Sequence, residues 1–394
     1  MIRETAGVAL EERKMEIVHA KVFGADGQFH TDQEIVIRNG RFVSDAGEDD
    51  TVLDAEGALA IPGLVDIHLH GARGQDVSDG TTEAFRTIAA YEASVGVTAI
   101  CPATLTLPAE RLTHVLSVGA EEAEKQDPRH ADLVGFNMEG PFISPAKKGA
   151  QNEAYIKKAD PALVERFLAA SKGLVRIIGL APEESPDFES YIRAVKDRVV
   201  VSLAHTNADY ETAMRAFAAA ASHAVHLYNA MTGLSHRAPG VVGAVSDSPW
   251  VSAEIICDGI HVHPAAVRAA FRLNGAERMV LISDSLRATG MPDGEYDLGG
   301  RPTQKCGRRC TMKDDGSLAG SVTNLADCMR YAVQHMGIPL ESAIACASSN
   351  PARVIGQDAN YGSIEVGKKG DVLLLRDADS LSTLRVIKDG VIIA

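Results

Sequence analysis

The sequence predicts an α/β protein, a (β/α)8 barrel of the TIM type with a small β-sandwich formed from both termini. Three observations carry this reading. Through the middle of the chain, apolar strand candidates alternate with amphipathic helical stretches, the pattern of parallel βα units. Eight such strands can be counted, the number with which this barrel closes. Short strands separated by turns occupy both ends of the chain and not the middle. The 394 residues would allow two or three domains by length alone, but an α/β barrel can use about 250 residues as one domain.

Residues 1–14 are charged and aperiodic and read as an N-terminal extension. Residues 15–60 hold short β-runs such as Glu34-Ile35-Val36-Ile37-Arg38, with turns at Ala25-Asp26-Gly27 and Asn39-Gly40. Residues 362–394 read alike, with strands at Val372-Leu373-Leu374-Leu375 and Leu384-Arg385-Val386-Ile387 and a turn at Asp389-Gly390. Together these segments form the expected sandwich, and 61–361 the expected catalytic barrel. Its strand candidates are Leu64–Ile67, Val97–Cys101, Leu133–Met138, Leu174–Leu180, Val199–Leu203, Ala224–Leu227, Val251–Cys257 and Met279–Ile282. Helical periodicity fills Thr82–Ser94, Ala109–Lys125, Pro161–Ser171, Asp209–Ala221 and Pro264–Leu273 between them. Asp160-Pro161 opens one of these as a cap followed by proline in the first turn.

Composition narrows the function classes. A formal net charge of -14 argues against nucleic acid and an anionic membrane surface as partners. No apolar run reaches the roughly 18 residues of a spanning helix. The first residues carry acids where a signal peptide has its apolar stretch. With the cysteines scattered, this gives a cytoplasmic protein with reduced thiols. Cys306 and Cys310 could be half of a zinc site, but no second pair exists, and a hairpin carrying two free thiols is the simpler reading.

The stretch Ile61 to Gly71, IPGLVDIHLHG, carries the first chemical signal. Side chains alternate along a strand, so His68 and His70 point one way and Leu69 the other. Two imidazoles leaving one strand end can close on one borderline divalent metal. A pair of polar residues where a strand meets a loop would look the same, so other strand ends must supply more ligands. A barrel keeps its active site at the C-terminal ends of its strands. Glu139 follows strand three, His205 strand five, His226 lies on strand six, Asp258 and His261 follow strand seven, and Asp284 follows strand eight. His19, His30, His114, His130 and His335 fall elsewhere and read as surface or structural. Asp258-Gly259 after a strand reads as a turn before it reads as a ligand.

PGLVDIHLHG, MEGPFIS, AHTNAD, HLYNAM, CDGIHVHP, SDS before PDGEYDLGG, LAGS and SNPAR together resemble the amidohydrolase superfamily, and within it the N-acetylglucosamine-6-phosphate deacetylases, from about residue 15 to the end. The resemblance implies a metal-bearing barrel flanked by a sandwich of both termini, holding one or two divalent ions of zinc, iron or manganese. It implies that His68 and His70 are one ligand pair, His205 and His226 a second, and Glu139 a bridging carboxylate. Asp284 would be the catalytic aspartate at the metal, and His261 would polarise the acetamide carbonyl. Asn229 and Ala230 would meet the sugar phosphate through their backbone, and Arg237 would reach the phosphate of a neighbouring subunit in a homodimer. The implied substrate is a phosphorylated N-acetyl amino sugar.

One departure concerns specificity. The family carries a histidine in its KKGxHN stretch, where this chain has Lys147-Lys148-Gly149-Ala150-Gln151-Asn152. Gln151 donates and accepts hydrogen bonds but carries no proton charge near neutral pH, which opens N-acetylgalactosamine 6-phosphate as an alternative substrate. A cyclic amide or dipeptide hydrolase would want a bridging lysine after strand four, and Gly179-Leu180-Ala181-Pro182-Glu183 has none. A barrel that had lost catalysis would have lost ligands.

Overall fold

The structure is a computed structural model that describes residues 14–47, 50–125 and 127–394. The expected N-terminal extension lies outside the described residues up to 13, and Lys14 already opens a strand. The barrel strands are β1 Leu64–Asp66, β2 Val97–Ile100, β3 Phe136–Phe142, β4 Val175–Leu180, β5 Val200–Leu203, β6 His223–Ala224, β7 Ser252–Ile256 and β8 Met279–Ile282. Each pairs in parallel with the next, with the short continuation of β2 at Ala103–Thr104 completing the ladder to β3. At the C-terminal end the Asp284 N–H donates to the His68 carbonyl and the His70 N–H to the Ser285 carbonyl, each at 2.8 Å. These two bonds draw the end of β8 against the end of β1.

The helices α1 Thr82–Ser94, α2 Ala109–Ala123, α3 Pro161–Ala170, α4 Phe188–Val195, α5 Tyr210–Ala218, α6 Gly240–Ser246, α7 Pro264–Asn274 and α8 Leu325–Met336 follow the strands in turn. Several of them start at side-chain caps. Thr81 accepts from the Ala84 N–H, Asp160 from Ala162, Asp209 from Thr212 and Asn324 from Asp327. Each such cap contributes about 1 kcal/mol.

Strand alternation divides the apolar residues into two cores. Val65 and Ile67, Ala99 and Cys101, and Val280 and Ile282 fill the barrel interior together with Ile177 and Ile256. Residues of the other parity, such as Leu64, Ile100, Ile178 and Leu281, pack outward against the helices.

At the termini, a four-stranded sheet runs in the order Arg41–Val43, Ile35–Arg38, Lys14–Val18, Thr51–Asp54. It faces a six-stranded sheet ordered Val391–Ile392, Thr383–Lys388, Val372–Leu375, Leu59–Pro62, Lys21–Phe23, Phe29–His30. Ile17, Ile37, Val22, Ala60, Val372 and Ile387 fill the space between. The two ends of the chain meet where Val372–Leu375 pairs antiparallel with Leu59–Pro62, one residue before β1.

Two strands differ from expectation in ways that matter to the site. The third divides into Asp132–Leu133, paired with β2, and a longer β3 that carries Glu139 within the ladder rather than after it. The sixth shrinks to His223–Ala224 because His226 and Tyr228 adopt left-handed φ of 24° and 78°, which ends the extended run. An insertion between β8 and α8 forms an antiparallel sheet of Gly294–Leu298, Arg301–Cys306 and Arg309–Met312. Cys306 and Cys310 flank the turn of its second hairpin as free thiols.

Candidate metal centre and active site

The six residues expected at the metal converge at the C-terminal mouth of the barrel. The ladder of β1 ends at Asp66, so His68 and His70 sit in irregular chain, yet their rings lie 5.5 Å apart and both face Glu139. From Glu139 Oε1 the distances are 2.8 Å to His205 Nε2, 2.9 Å to His226 Nε2 and 3.5 Å to His68 Nε2. Glu139 Oε2 lies 3.4 Å from His70 Nε2, and Asp284 Oδ1 lies 3.4 Å from the same nitrogen. Gly179 on β4 makes this placement possible: a Cβ there would stand 2.3 Å from the Glu139 carbonyl. His205, His226 and Asp284 hold left-handed φ of 44°, 24° and 49°. Such conformations cost about 1–3 kcal/mol each and persist where surrounding contacts fix them.

The opposite ring nitrogens settle the tautomers. His70 Nδ1 donates to the Ala103 carbonyl at 3.1 Å, His205 Nδ1 to Lys147 at 2.8 Å and His226 Nδ1 to Asn229 at 3.1 Å. Carbonyl oxygens only accept, so these Nδ1 atoms carry hydrogen. His68 Nδ1 meets the Glu254 carboxylate at 2.7 Å instead. In neutral rings all four Nε2 lone pairs therefore point at carboxylate oxygens, and the buried His68 Nε2 has no hydrogen-bond partner.

Charge sharpens the point. Glu139, Glu254 and Asp284 are buried, and among the described residues their ion-pair partners are histidines, with no lysine or arginine. Burial works against ionising Glu139, but the surrounding His205, His226 and His68 hold its carboxyl well below the usual range. Burial likewise disfavours charge on His68, yet Glu254 and Glu139 push its pKa well above the usual imidazole value. His70 is pushed up to about 10 by Asp284 and Glu139 against the same opposing burial. Without an ion, protons must supply the cationic charge. Imidazole nitrogens and carboxylate oxygens are the donor set of borderline divalent metals. His68, His70 and Asp284 form one group close enough to hold an ion, and His68, Glu139 and His226 another.

A cavity of 370 Å³ opens over these groups, lined also by His261, Gln151, Asn229 and Ala230. His261 Nδ1 donates to Asp258 Oδ2 at 2.8 Å, and Asp258 Oδ1 accepts from the Ile260 and His261 N–H groups. Asp258 is thus a turn residue that also orients His261. Gln151 is buried, takes the Thr106 N–H at 2.7 Å and donates to Glu139 Oε2. Leu105, Leu286, Leu298 and Leu318 form an apolar wall, and Leu298 comes from the insertion after β8. Arg237 is exposed and does not line the cavity.

Sequence reasoning missed Glu254 altogether, although an acid within the apolar run Val251–Cys257 was a visible irregularity. It also missed the supporting role of Lys147 and Asn229, which act through carbonyls and leave no side-chain signature.

A parallel barrel with an imidazole–carboxylate cluster at its C-terminal mouth places the chain in the class of barrels built to hold a divalent-metal centre there. Residues 59–393 match the Amidohydrolase family model. The chain is 35% identical, over 81% of each chain, to a Bacillus subtilis protein named N-acetylglucosamine-6-phosphate deacetylase. It is also 35% identical, over 82% of this chain and 85% of the relative, to an Escherichia coli O157:H7 protein named N-acetylgalactosamine-6-phosphate deacetylase. Among solved structures it resembles a mutant N-acetyl-D-glucosamine-6-phosphate deacetylase from Mycobacterium smegmatis in complex with N-acetyl-D-glucosamine-6-phosphate. That match has a TM-score of 0.88 at 30% identity and covers 97% of this chain and 99% of the other. The chain belongs to the amidohydrolase family, and within it to the N-acetylglucosamine-6-phosphate deacetylases.

Proposed function

We propose that the protein hydrolyses the acetamide of N-acetylglucosamine 6-phosphate to glucosamine 6-phosphate and acetate. The observation that carries this is the convergence of four Nε2 atoms on Glu139 beneath a cavity that also holds His261 and Asp284. His205, His226 and Glu139 would hold one divalent ion, and His68, His70 and Glu139, with Asp284 alongside, a second. A dication bound there acidifies water and polarises a carbonyl.

The chain's own residues divide the remaining work. Asp284 accepts the proton of the attacking water and returns it to the departing nitrogen, so that the amine leaves neutral. It has a free carboxylate to accept with: burial opposes its ionisation, but His70 and His68 hold its carboxyl below the usual range. His261 donates to the acetamide oxygen as it gains negative charge, a task worth about 2.7–4 kcal/mol for one donor. Burial opposes its charge, but Asp258 raises its pKa, which favours the protonated, donating form of the ring. Gln151 steadies Glu139 and borders the sugar, while Asn229 and Ala230 offer backbone to the phosphate.

The same reading has the enzyme working as a cytoplasmic homodimer with Arg237 reaching the phosphate in the neighbouring subunit, which its exposure supports. It divides the chain into a sandwich of 15–60 plus 362–394 and a catalytic barrel of 61–361.

Gln151 motivates a second reading, in which the galacto epimer is preferred, and a relative named N-acetylgalactosamine-6-phosphate deacetylase is as similar as the Bacillus subtilis protein. Acetate release from the two phosphates and from unphosphorylated N-acetylglucosamine separates the cases. Preference for the gluco phosphate is expected. Preference for the galacto phosphate would move the assignment to the second reading, and activity on neither would remove both.

A further inference from the structure

Glu254 is completely buried on β7, with the same parity as Ile256, whose side chain fills the barrel interior. It touches both ligand pairs. Its Oε2 accepts from His68 Nδ1 at 2.7 Å and from the backbone N–H of His226 at 3.2 Å. Its Oε1 meets His223 Nε2 at 3.0 Å, and His223 Nδ1 in turn meets Ser252 Oγ at 2.7 Å.

The asymmetry among the four ligand candidates is informative. His70, His205 and His226 rest their Nδ1 on backbone carbonyls, which are neutral and set by the fold. His68 alone rests on a carboxylate. An ionised acceptor forms a hydrogen bond roughly twice as strong as a neutral one and makes the far nitrogen a better electron donor. That far nitrogen, His68 Nε2, is buried and has no hydrogen-bond partner.

We propose that Glu254 is a positioning residue for the ion at the His68/His70 site: it fixes the His68 tautomer, raises the basicity of its Nε2, and thereby sets whether that site fills. The His205/His226 site does not depend on it in the same way, since Glu254 touches only a backbone N–H there. The inference rests on the metal-centre reading proposed above. A purely structural role, tying β1 to β7 and β6, would weaken both sites equally or neither.

The test uses the full-length protein stripped with a chelator and titrated with zinc against a competing indicator, as wild type and as Glu254→Gln. The glutamine keeps the volume and a hydrogen-bonding oxygen but removes the charge. Wild type should bind two zinc ions per chain. In the variant the binding step that His68→Asn also removes should lose roughly 10- to 100-fold in affinity, the range for removed supporting partners of ligands, and the other step should not change. Equal loss at both sites, or none at either, overturns the proposal. If wild type binds no zinc, the reading of the centre itself falls, an outcome distinct from the others. Should the variant fail to fold, nitrogen-15 histidine NMR of zinc-loaded wild type decides the matter. A strongly hydrogen-bonded Nδ1 proton on His68, assigned by its loss in His68→Asn, supports the proposal, and a ring without a proton on Nδ1 overturns it.

Discussion

Replacing Asp284 by asparagine isolates its proton-transfer role from its structural one. Asp284 holds φ at 49°, a left-handed conformation that asparagine tolerates better than most residues. Its N–H to the His68 carbonyl at 2.8 Å and its carbonyl to the Ser321 N–H at 2.7 Å are backbone bonds that the substitution leaves in place. Asparagine retains an amide oxygen for the 3.4 Å approach to His70 Nε2 but cannot accept and return a proton. A positioned acid–base group contributes roughly 10²–10⁴ in rate, about 2.7–5.4 kcal/mol of barrier at 1.36 kcal/mol per tenfold. Steady-state acetate release by Asp284→Asn should fall by that factor in kcat, with metal content and melting temperature close to wild type. Turnover above about a tenth of wild type with full metal content would refute the proton-transfer assignment, because the smallest expected loss is about a hundredfold.

Other consequences can be checked separately. Asp258→Asn should lower kcat more than it raises KM, because His261 loses the partner that orients it and raises its pKa; steady-state kinetics on both variants, Asp258→Asn and His261→Asn, should show the same direction. Protons and ions should compete for the centre. The raised pKa of His70, about 10 against an ordinary 6.5, means that its pairing stabilises the metal-free protein fully below pH 6.5 and is lost as pH rises toward 10. Glu254, held near 2 because His68 and His223 outweigh the opposing burial, contributes stability that is lost only as pH falls from its ordinary 4.5 toward 2. The melting-temperature gap between zinc-loaded and metal-free protein should therefore widen from pH 6 to pH 9, and a gap that narrows would contradict the charge assignment. At the junction of sandwich and barrel, the fully buried Lys388 lies 3.0 Å from Asp132 Oδ1 and 2.9 Å from Asp389 Oδ2. Lys388→Met should cost about 3–5 kcal/mol, the penalty for stranding buried partners, read as a lowered denaturant midpoint; a shift worth under about 1 kcal/mol would show that the pair is not needed.

The alternation of strands and helices was legible because each barrel strand is a short apolar run closed by turn or cap residues. The ligands were legible because barrel topology brings strand ends together, so that His68, Glu139, His205, His226 and Asp284, far apart in sequence, could be predicted to meet. Backbone conformation was not legible: nothing in the residue types of His205, His226 or Asp284 announces a left-handed φ, and at His226 and Tyr228 it is this that cuts β6 short. The supports were hidden for another reason. Ala103, Lys147 and Asn229 act through carbonyls, which every residue has, and Glu254 acts from inside a strand where an acid reads as an interruption. The insertion that brings Leu298 to the cavity carries a strand pattern, but its placement over the mouth depends on contacts between distant segments.

The central claim is that four histidines and Glu139 exist to hold catalytic ions, and metal analysis coupled to activity tests it most directly. The purified protein should carry one or two divalent ions per chain, lose acetate release from N-acetylglucosamine 6-phosphate when they are removed by chelation, and regain it on addition of zinc, iron(II) or manganese. Full activity in chelated protein free of bound metal would contradict the account.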